Sequence, residues 1–143
     1  MRPTPLRKIL VETALRWQDR YGVAPAITSA LSEVDAARLV GVPAVAYCRQ
    51  MRDRTAVSRG CDFTWRDKRY QVKANRPSGK PGSTVTLVPK PKNYDWDFLV
   101  WILYNQDYSI AGAWIWPRAK FRARFEHVKR LSPEHYSRGR PLV

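Results

Sequence analysis

The stretch Asp62-Phe63-Thr64-Trp65-Arg66-Asp67-Lys68-Arg69-Tyr70-Gln71-Val72-Lys73 places an acid, an amide and an amine close together in sequence. Residues 61–65 and 69–74 read as two strands around a short Arg66-Asp67-Lys68 turn. With Trp65 set opposite Tyr70, Phe63 lies opposite Val72 and Asp62 opposite Lys73. Side chains alternate along a strand, so Asp62, Thr64, Gln71 and Lys73 share a polar face. Phe63, Trp65, Tyr70 and Val72 share an apolar one. A one-residue slip would scatter the polar set. The polar face has a chemical use. Asp62 supplies a hard oxygen ligand for Mg²⁺ or Mn²⁺, and Gln71 a weaker, uncharged one. Lys73 orients, or helps to deprotonate, a water beside a phosphate whose phosphorus–oxygen bond the cation polarises. The same residues also fit an ordinary exposed strand face with an Asp62–Lys73 cross-strand pair, and spacing alone favours that plainer reading, because polar faces on hairpins are common.

A second acid bears on the choice. Glu33 falls on a helix expected over about 30–40, with Ala36, Ala37 and Val40 at +3, +4 and +7. It therefore heads a small apolar stripe and points inward. An inward carboxylate needs a partner or a metal. Its place in the first helical turn would account for the charge through the helix dipole, but not for the direction.

Together these residues resemble the PD-(D/E)xK nuclease superfamily, the restriction-endonuclease-like fold. The shared order is an acid on a helix (Glu33), an acid after Arg59-Gly60-Cys61 (Asp62), and Gln71-Val72-Lys73 on the next strand. An apolar strand follows, from Asp95-Trp96-Asp97-Phe98-Leu99-Val100. The likeness covers roughly residues 30–117, and the glutamate, spacing and short hairpin are also similar to Holliday-junction resolvases. It implies a metal-dependent phosphodiesterase in which Asp62 and Gln71, with Glu33, hold Mg²⁺ or Mn²⁺ and Lys73 is the catalytic lysine. This chain departs from the pattern twice. Cys61 stands where proline is usual, and Gln71 stands where an acid is usual, which removes a negative charge from the metal site.

These residues must be positioned by a small set of elements. Residues 5–20 read as an amphipathic helix, with Leu6, Ile9, Leu10, Ala14 and Trp17 at three- and four-residue steps and Gly22 at its end. Thr28 and Ser29 are candidate caps for the second helix, closed by Gly41 and Pro43. Residues 44–59 hold an Arg-rich polar stretch without a clear period. A Pro- and Gly-rich loop spans 75–92, with a short strand at Thr84 to Val88. Asp97 to Tyr104 is apolar on both faces and so central, Ser109 to Trp116 is the next strand, and Pro117 starts a helix to about Phe125. The fold class is α/β: a mixed central sheet flanked by helices, in one domain over 1–143. Its parts are an N-terminal helix (1–22), a core (30–117) and a basic C-terminal segment (118–143).

Composition bounds the partners. The chain has 143 residues, with 26 Lys+Arg against 12 Asp+Glu, a formal charge of +14. A surplus of that size on a folded chain points to a polyanion, and nucleic acid is the default. Candidate phosphate contacts are Arg76, Lys80, Lys90 and Lys92 in the loop, and Arg118, Lys120 and Arg122 beyond the last strand. The longest apolar run, Phe98 to Tyr104, is seven residues, too short for a membrane span of about 20. The first residues carry no secretory h-region, and two cysteines make no disulfide framework, so a reducing cytoplasm is expected. His127 and His135 do not form a zinc site of standard spacing with Cys48 and Cys61. Ser78-Gly79-Lys80-Pro81-Gly82-Ser83 lacks phosphate-loop spacing and reads as a flexible basic loop near the site. Trp96, Trp101, Tyr104, Trp114 and Trp116 read mainly as core.

The expected function is a Mg²⁺- or Mn²⁺-dependent DNA endonuclease in which water attacks a phosphodiester. A homodimer follows by analogy, because cutting two strands usually takes two sites. The rival readings are a non-catalytic nucleic-acid-binding module on the same fold and a basic ribonucleoprotein component. Whether the nucleic acid is DNA or RNA is not written in the sequence.

Overall fold

A computed structural model describes residues 2–54 and 60–143. Arg59 of the segment leading to Asp62, with the end of the polar 44–59 stretch, lies outside the described residues. In chain order the elements are α1 (Pro5–Tyr21), α2 (Thr28–Val40), α3 (Ala44–Arg52), β1 (Phe63–Trp65), β2 (Lys68–Asn75), β3 (Phe98–Tyr104), β4 (Ile110–Pro117), α4 (Arg118–Phe125), α5 (Pro133–Tyr136) and β5 (Arg140–Pro141). The strands form one mixed sheet in the order β1-β2-β3-β4-β5. Among the described residues only the β2–β3 pair is parallel, and the long crossover through residues 76–97 joins them. No helix among the described residues is long and apolar enough to cross a membrane.

The central strand behaves as its composition requires. Leu99, Val100, Trp101 and Ile102 are fully buried, because both sheet faces are covered. On one face Val100 and Ile102 meet Val11 and Ala14 of α1, Leu31, Ala36 and Ala37 of α2, and Tyr47 of α3. On the other face Leu99, Trp101 and Trp116 pack with Phe121 and Phe125 of α4 and Tyr136 of α5. Trp96, Trp101, Tyr104 and Trp116 are core residues and Trp114 packs partly buried beside them, as the strand positions indicated.

Several expectations are corrected. Leu6, Ile9, Leu10 and Trp17 of the expected stripe are not on the buried face of α1; these side chains are 40–72% exposed. Ala14, its remaining member, is buried, and the helix turns Val11 and, in part, Arg7 inward with it. Arg7 Nε and Nη2 donate to the two oxygens of Asp35 at 2.8 and 2.9 Å, and Nη2 also donates to the Tyr108 carbonyl. Asp35 is fully buried, and the Tyr104 hydroxyl donates to it at 2.6 Å. An unpaired carboxylate there would be very costly, so the ion pair sets the rotation of α1 rather than the apolar stripe.

Thr28 and Ser29 do not cap α2. They lie inside it, and Ile27 holds the cap position without a side-chain bond. The Arg-rich stretch contains α3. No strand forms at Thr84 to Val88 beyond a single bridge from Val88 to Leu131. The last segment adds α5 and β5, which the sequence did not reveal; in α5, Ser132 and His135 form a reciprocal capping box.

The hairpin also shifts. Arg66 and Asp67 both take positive φ, 51° and 63°, the signature of a two-residue turn whose twist matches the strands it joins. Lys68 is therefore a strand residue. Phe63 pairs with Tyr70 and Trp65 with Lys68, two residues from the expected alignment. An even shift preserves the faces but moves Asp62 away from Lys73 and alongside Gln71.

Candidate functional site

The β1–β2 hairpin and α2 meet around a cleft of about 300 Å³ lined by Glu33, Asp62, Gln71 and Lys73. Ser29 and Ser32 of α2, Val72 and Ala74 of β2, and Pro89 of the crossover complete its wall. Each position has a local cause. Glu33 sits one turn before Ala36 and Ala37, whose full burial presses that side of α2 against the sheet. Gln71 and Lys73 alternate with Tyr70 and Val72, which are buried under the helices. Pro89 is held over the cleft because the Tyr136 hydroxyl donates to its carbonyl at 2.7 Å.

Asp62 is fixed twice. One carboxylate oxygen, Oδ2, accepts the Val72 backbone N–H at 2.6 Å and the Gln71 amide at 3.1 Å. Its backbone N–H donates to the Tyr70 carbonyl. Arg54 grips the chain from the other side, donating to the carbonyls of Cys61 at 2.8 Å and Asp62 at 2.7 Å. Arg54 escaped the sequence reading, because nothing in the aperiodic stretch around it signals a contact with Asp62. Ser29 and Ser32 were not read as site residues, although the offset of four between Ser29 and Glu33 places those two on one face of α2.

Burial pushes the Glu33 carboxyl up to about 6, and the neighbouring Asp62 charge adds to the rise; the Arg54 guanidinium opposes it without prevailing. Burial likewise pushes the Tyr47 hydroxyl up to about 12, with Glu33 contributing, so Tyr47 remains a neutral donor beside the acids. Burial also raises the Cys61 thiol, which opposes its ionisation. Among the described residues no ion pair joins Lys73 to Glu33 or Asp62. Two acids thus lie together in a cleft that Lys73 also lines, with the Arg54 guanidinium close enough to oppose the rise.

That arrangement fits a hard divalent cation. Among the described residues no group of three or more His, Cys, Asp or Glu assembles, so protein acids would supply two anchors here. Mg²⁺ is commonly held by one or two carboxylates, with waters and substrate phosphate completing its octahedron. Glu33 and Asp62 can serve as those anchors. Gln71 turns its amide N–H₂ toward Asp62, which leaves its carbonyl oxygen as the group able to ligate.

The chain matches no known protein family and no curated protein sequence.

The basic candidates divide into two groups. Arg76 donates to the Gln106 carbonyl and to Gln18, and its guanidinium stacks over the Tyr108 ring at 4.1 Å. Lys90 caps the end of α4, donating to the carbonyls of Glu126 and Val128. Arg118 donates to the carbonyls of Tyr94 and Trp96. Arg122 pairs with Glu126 at 2.8 Å and lies over the Tyr94 ring. These four are occupied in holding the crossover and α4 in place. Lys80, Lys92 and Lys120 are exposed. The 78–83 segment is tied down rather than loose: the Ser78 N–H donates to Ser83 Oγ, and Gln18 donates to the Ser78 carbonyl. It contributes no wall to the cleft.

Proposed function

We propose that this chain is a metal-dependent DNA endonuclease of the PD-(D/E)xK superfamily, with a restriction-endonuclease-like fold. The observation that carries the reading is the convergence of Glu33, Asp62, Gln71 and Lys73 on one cleft. The excess of positive charge supports a polyanionic substrate. Glu33 and Asp62 would hold Mg²⁺ or Mn²⁺, which supplies polarisation of the scissile phosphate and a more acidic bound water. Lys73 places its ammonium beside that phosphate and orients the attacking water. Gln71 holds Asp62 in its binding rotamer. Lys80, Lys92 and Lys120 are free to meet backbone phosphates, with cytoplasmic DNA as the partner. A homodimer would bring two such clefts to the two strands of a duplex.

One observation favours a second reading, a non-catalytic nucleic-acid-binding module. Gln71 leaves the site one acid short of the superfamily pattern, which weakens its hold on a cation. The deciding experiment incubates the purified protein with supercoiled plasmid and Mn²⁺ or Mg²⁺. The nuclease reading expects nicking, abolished in Asp62→Asn and Lys73→Ala, with DNA binding kept. Asn is chosen because its side-chain oxygen can still accept the Val72 N–H, so the hairpin survives. Cleavage unchanged in both variants removes the assignment. Salt-sensitive binding without cleavage in any divalent ion establishes the module instead.

A further inference from the structure

A second cleft, of about 370 Å³, lies between α4 and the C-terminal segment, away from the acids. Its floor is Phe98, Ile115, Trp116 and Pro117. Four cations stand on its rim: Lys120 and Arg124, one turn apart on α4, and Arg138 and Arg140 on either side of Gly139. We propose that this cleft is a backbone-phosphate site that holds a nucleic-acid strand. The inference rests on the nucleic-acid reading above and assigns it a place.

Three observations support the cleft as a phosphate site. First, the charge is one-sided. Glu134, which pairs with Arg138 at 3.3 Å, is the acid that meets a rim cation in an ion pair among the described residues. Arg124 lies over the Trp116 ring at 5.8 Å, an apolar support that leaves its donors available to solvent and ligand. Second, α4 begins on Pro117 with no side-chain cap and no acid in its first turn. The Arg118 N–H donates to the Asp97 carbonyl, and the N–H groups after it, with the helix dipole, add positive potential at this end of α4. Third, the wall is closely built. A Cβ on Gly139 would sit 2.5 Å from Trp116 Nε1, so only glycine lets the chain carrying Arg138 and Arg140 approach this closely.

The sheet register separates the cleft from the acids. Lys73 is aligned with Trp101, and Phe98 with Pro117. Phe98, Ile115 and Pro117 alternate with Leu99 and Trp116, so they belong to the sheet face opposite Trp101 and Lys73. Four cations with rotatable or forked donors suit a phosphodiester backbone and read no base.

The test measures binding of a fluorescent 20-base-pair duplex by anisotropy, in EDTA, across a salt series. Lys120→Gln/Arg124→Gln removes two rim charges from α4. Lys120→Gln/Arg140→Gln removes one from α4 and one from β5, in case one pair disturbs folding. Arg16→Gln/Arg20→Gln removes the same charge from exposed positions on α1. Each lost phosphate contact makes the log–log salt slope shallower by about 0.9. Both rim variants are expected to lose nearly two units of slope and the α1 variant little. Equal losses in all three, no loss in the rim variants, or no salt-sensitive binding by the wild type would overturn the site. Rim variants that weaken binding as expected, in a protein that cuts nothing with Mn²⁺, would sink catalysis while leaving this cleft standing.

Discussion

Gln71 donates its side-chain amide to Asp62 across the hairpin, at 3.1 Å, onto the same oxygen that accepts the Val72 N–H. The residue that departs from the pattern of the proposed superfamily is thus a neutral donor that steadies the acid beside it. Glutamate at this position would remove the donor and add a repelling charge. Gln71→Glu is therefore expected to lower metal-free stability by about 1–2 kcal/mol, the cost of a lost bond to a charged group. The same charge should tighten Mn²⁺ binding by about tenfold, roughly 1.4 kcal/mol. Thermal melts with and without Mn²⁺, together with calorimetric titration, check both; looser binding in the variant would remove Gln71 from the metal site.

The acid pair makes stability depend on pH. Glu33 titrates at about 6 in the folded chain against an ordinary value of 4.5, so the folded state holds its proton more tightly than the unfolded state. Ionising it then costs stability. The cost is absent below the unfolded value, grows as pH rises through the folded one, and is fully present above it. Partial exposure limits it to about 1 kcal/mol. Glu33→Gln should raise metal-free stability near neutral pH and leave it unchanged in acid. A cation held as proposed would reverse the sign, because it would bind the ionised pair. The rise in melting temperature caused by Mn²⁺ should therefore grow as pH increases through about 6 in the wild type and flatten in Glu33→Gln. A wild-type shift independent of pH would argue against Glu33 as a ligand.

Asp35 anchors the scaffold behind the cleft. Arg7 and the Tyr104 hydroxyl both donate to it, and Arg38 lies 3.7 Å away. Burial and the Asp35 charge raise the Tyr104 hydroxyl strongly, so it stays a donor. Removing one cation partner leaves a buried charge undercompensated, and Arg7→Ala is expected to cost about 3–5 kcal/mol. Tyr104→Phe loses one bond to a charged group, about 1.5–3 kcal/mol. Urea denaturation measures both; a smaller loss for Arg7→Ala than for Tyr104→Phe would mean that Arg38 carries the pairing.

The exposed stripe of α1 gives a contrasting expectation. Ile9 is 58% exposed whereas Ala14 is buried against the core. Ile9→Gln should change stability by less than about 0.5 kcal/mol. Ala14→Leu should cost about 1–3 kcal/mol through overpacking. Equal effects in denaturant melts would place Ile9, as well as Ala14, against the core.

The sequence by itself determined the main strands and the faces of the hairpin, though not α3, α5 or β5. The alternation of Phe63, Tyr70 and Val72 with Asp62, Gln71 and Lys73 assigned the polar and apolar sides of the hairpin, and a two-residue error in alignment left those sides unchanged because the strand period is two. The apolar run from Phe98 to Tyr104 marked the central strand for the same local reason. Tertiary structure decided what depends on partners far along the chain. Arg7 and Asp35, 28 residues apart, set which side of α1 is buried, against its apolar stripe. Arg54 fixed the backbone at Asp62, and Arg76, Lys90 and Arg118 were taken up by carbonyls of the crossover and its neighbours. Local periodicity is carried by adjacent residues and can be read from them. A charge finds its partner only once the chain has folded, because the cost of burying it depends on every group that surrounds it.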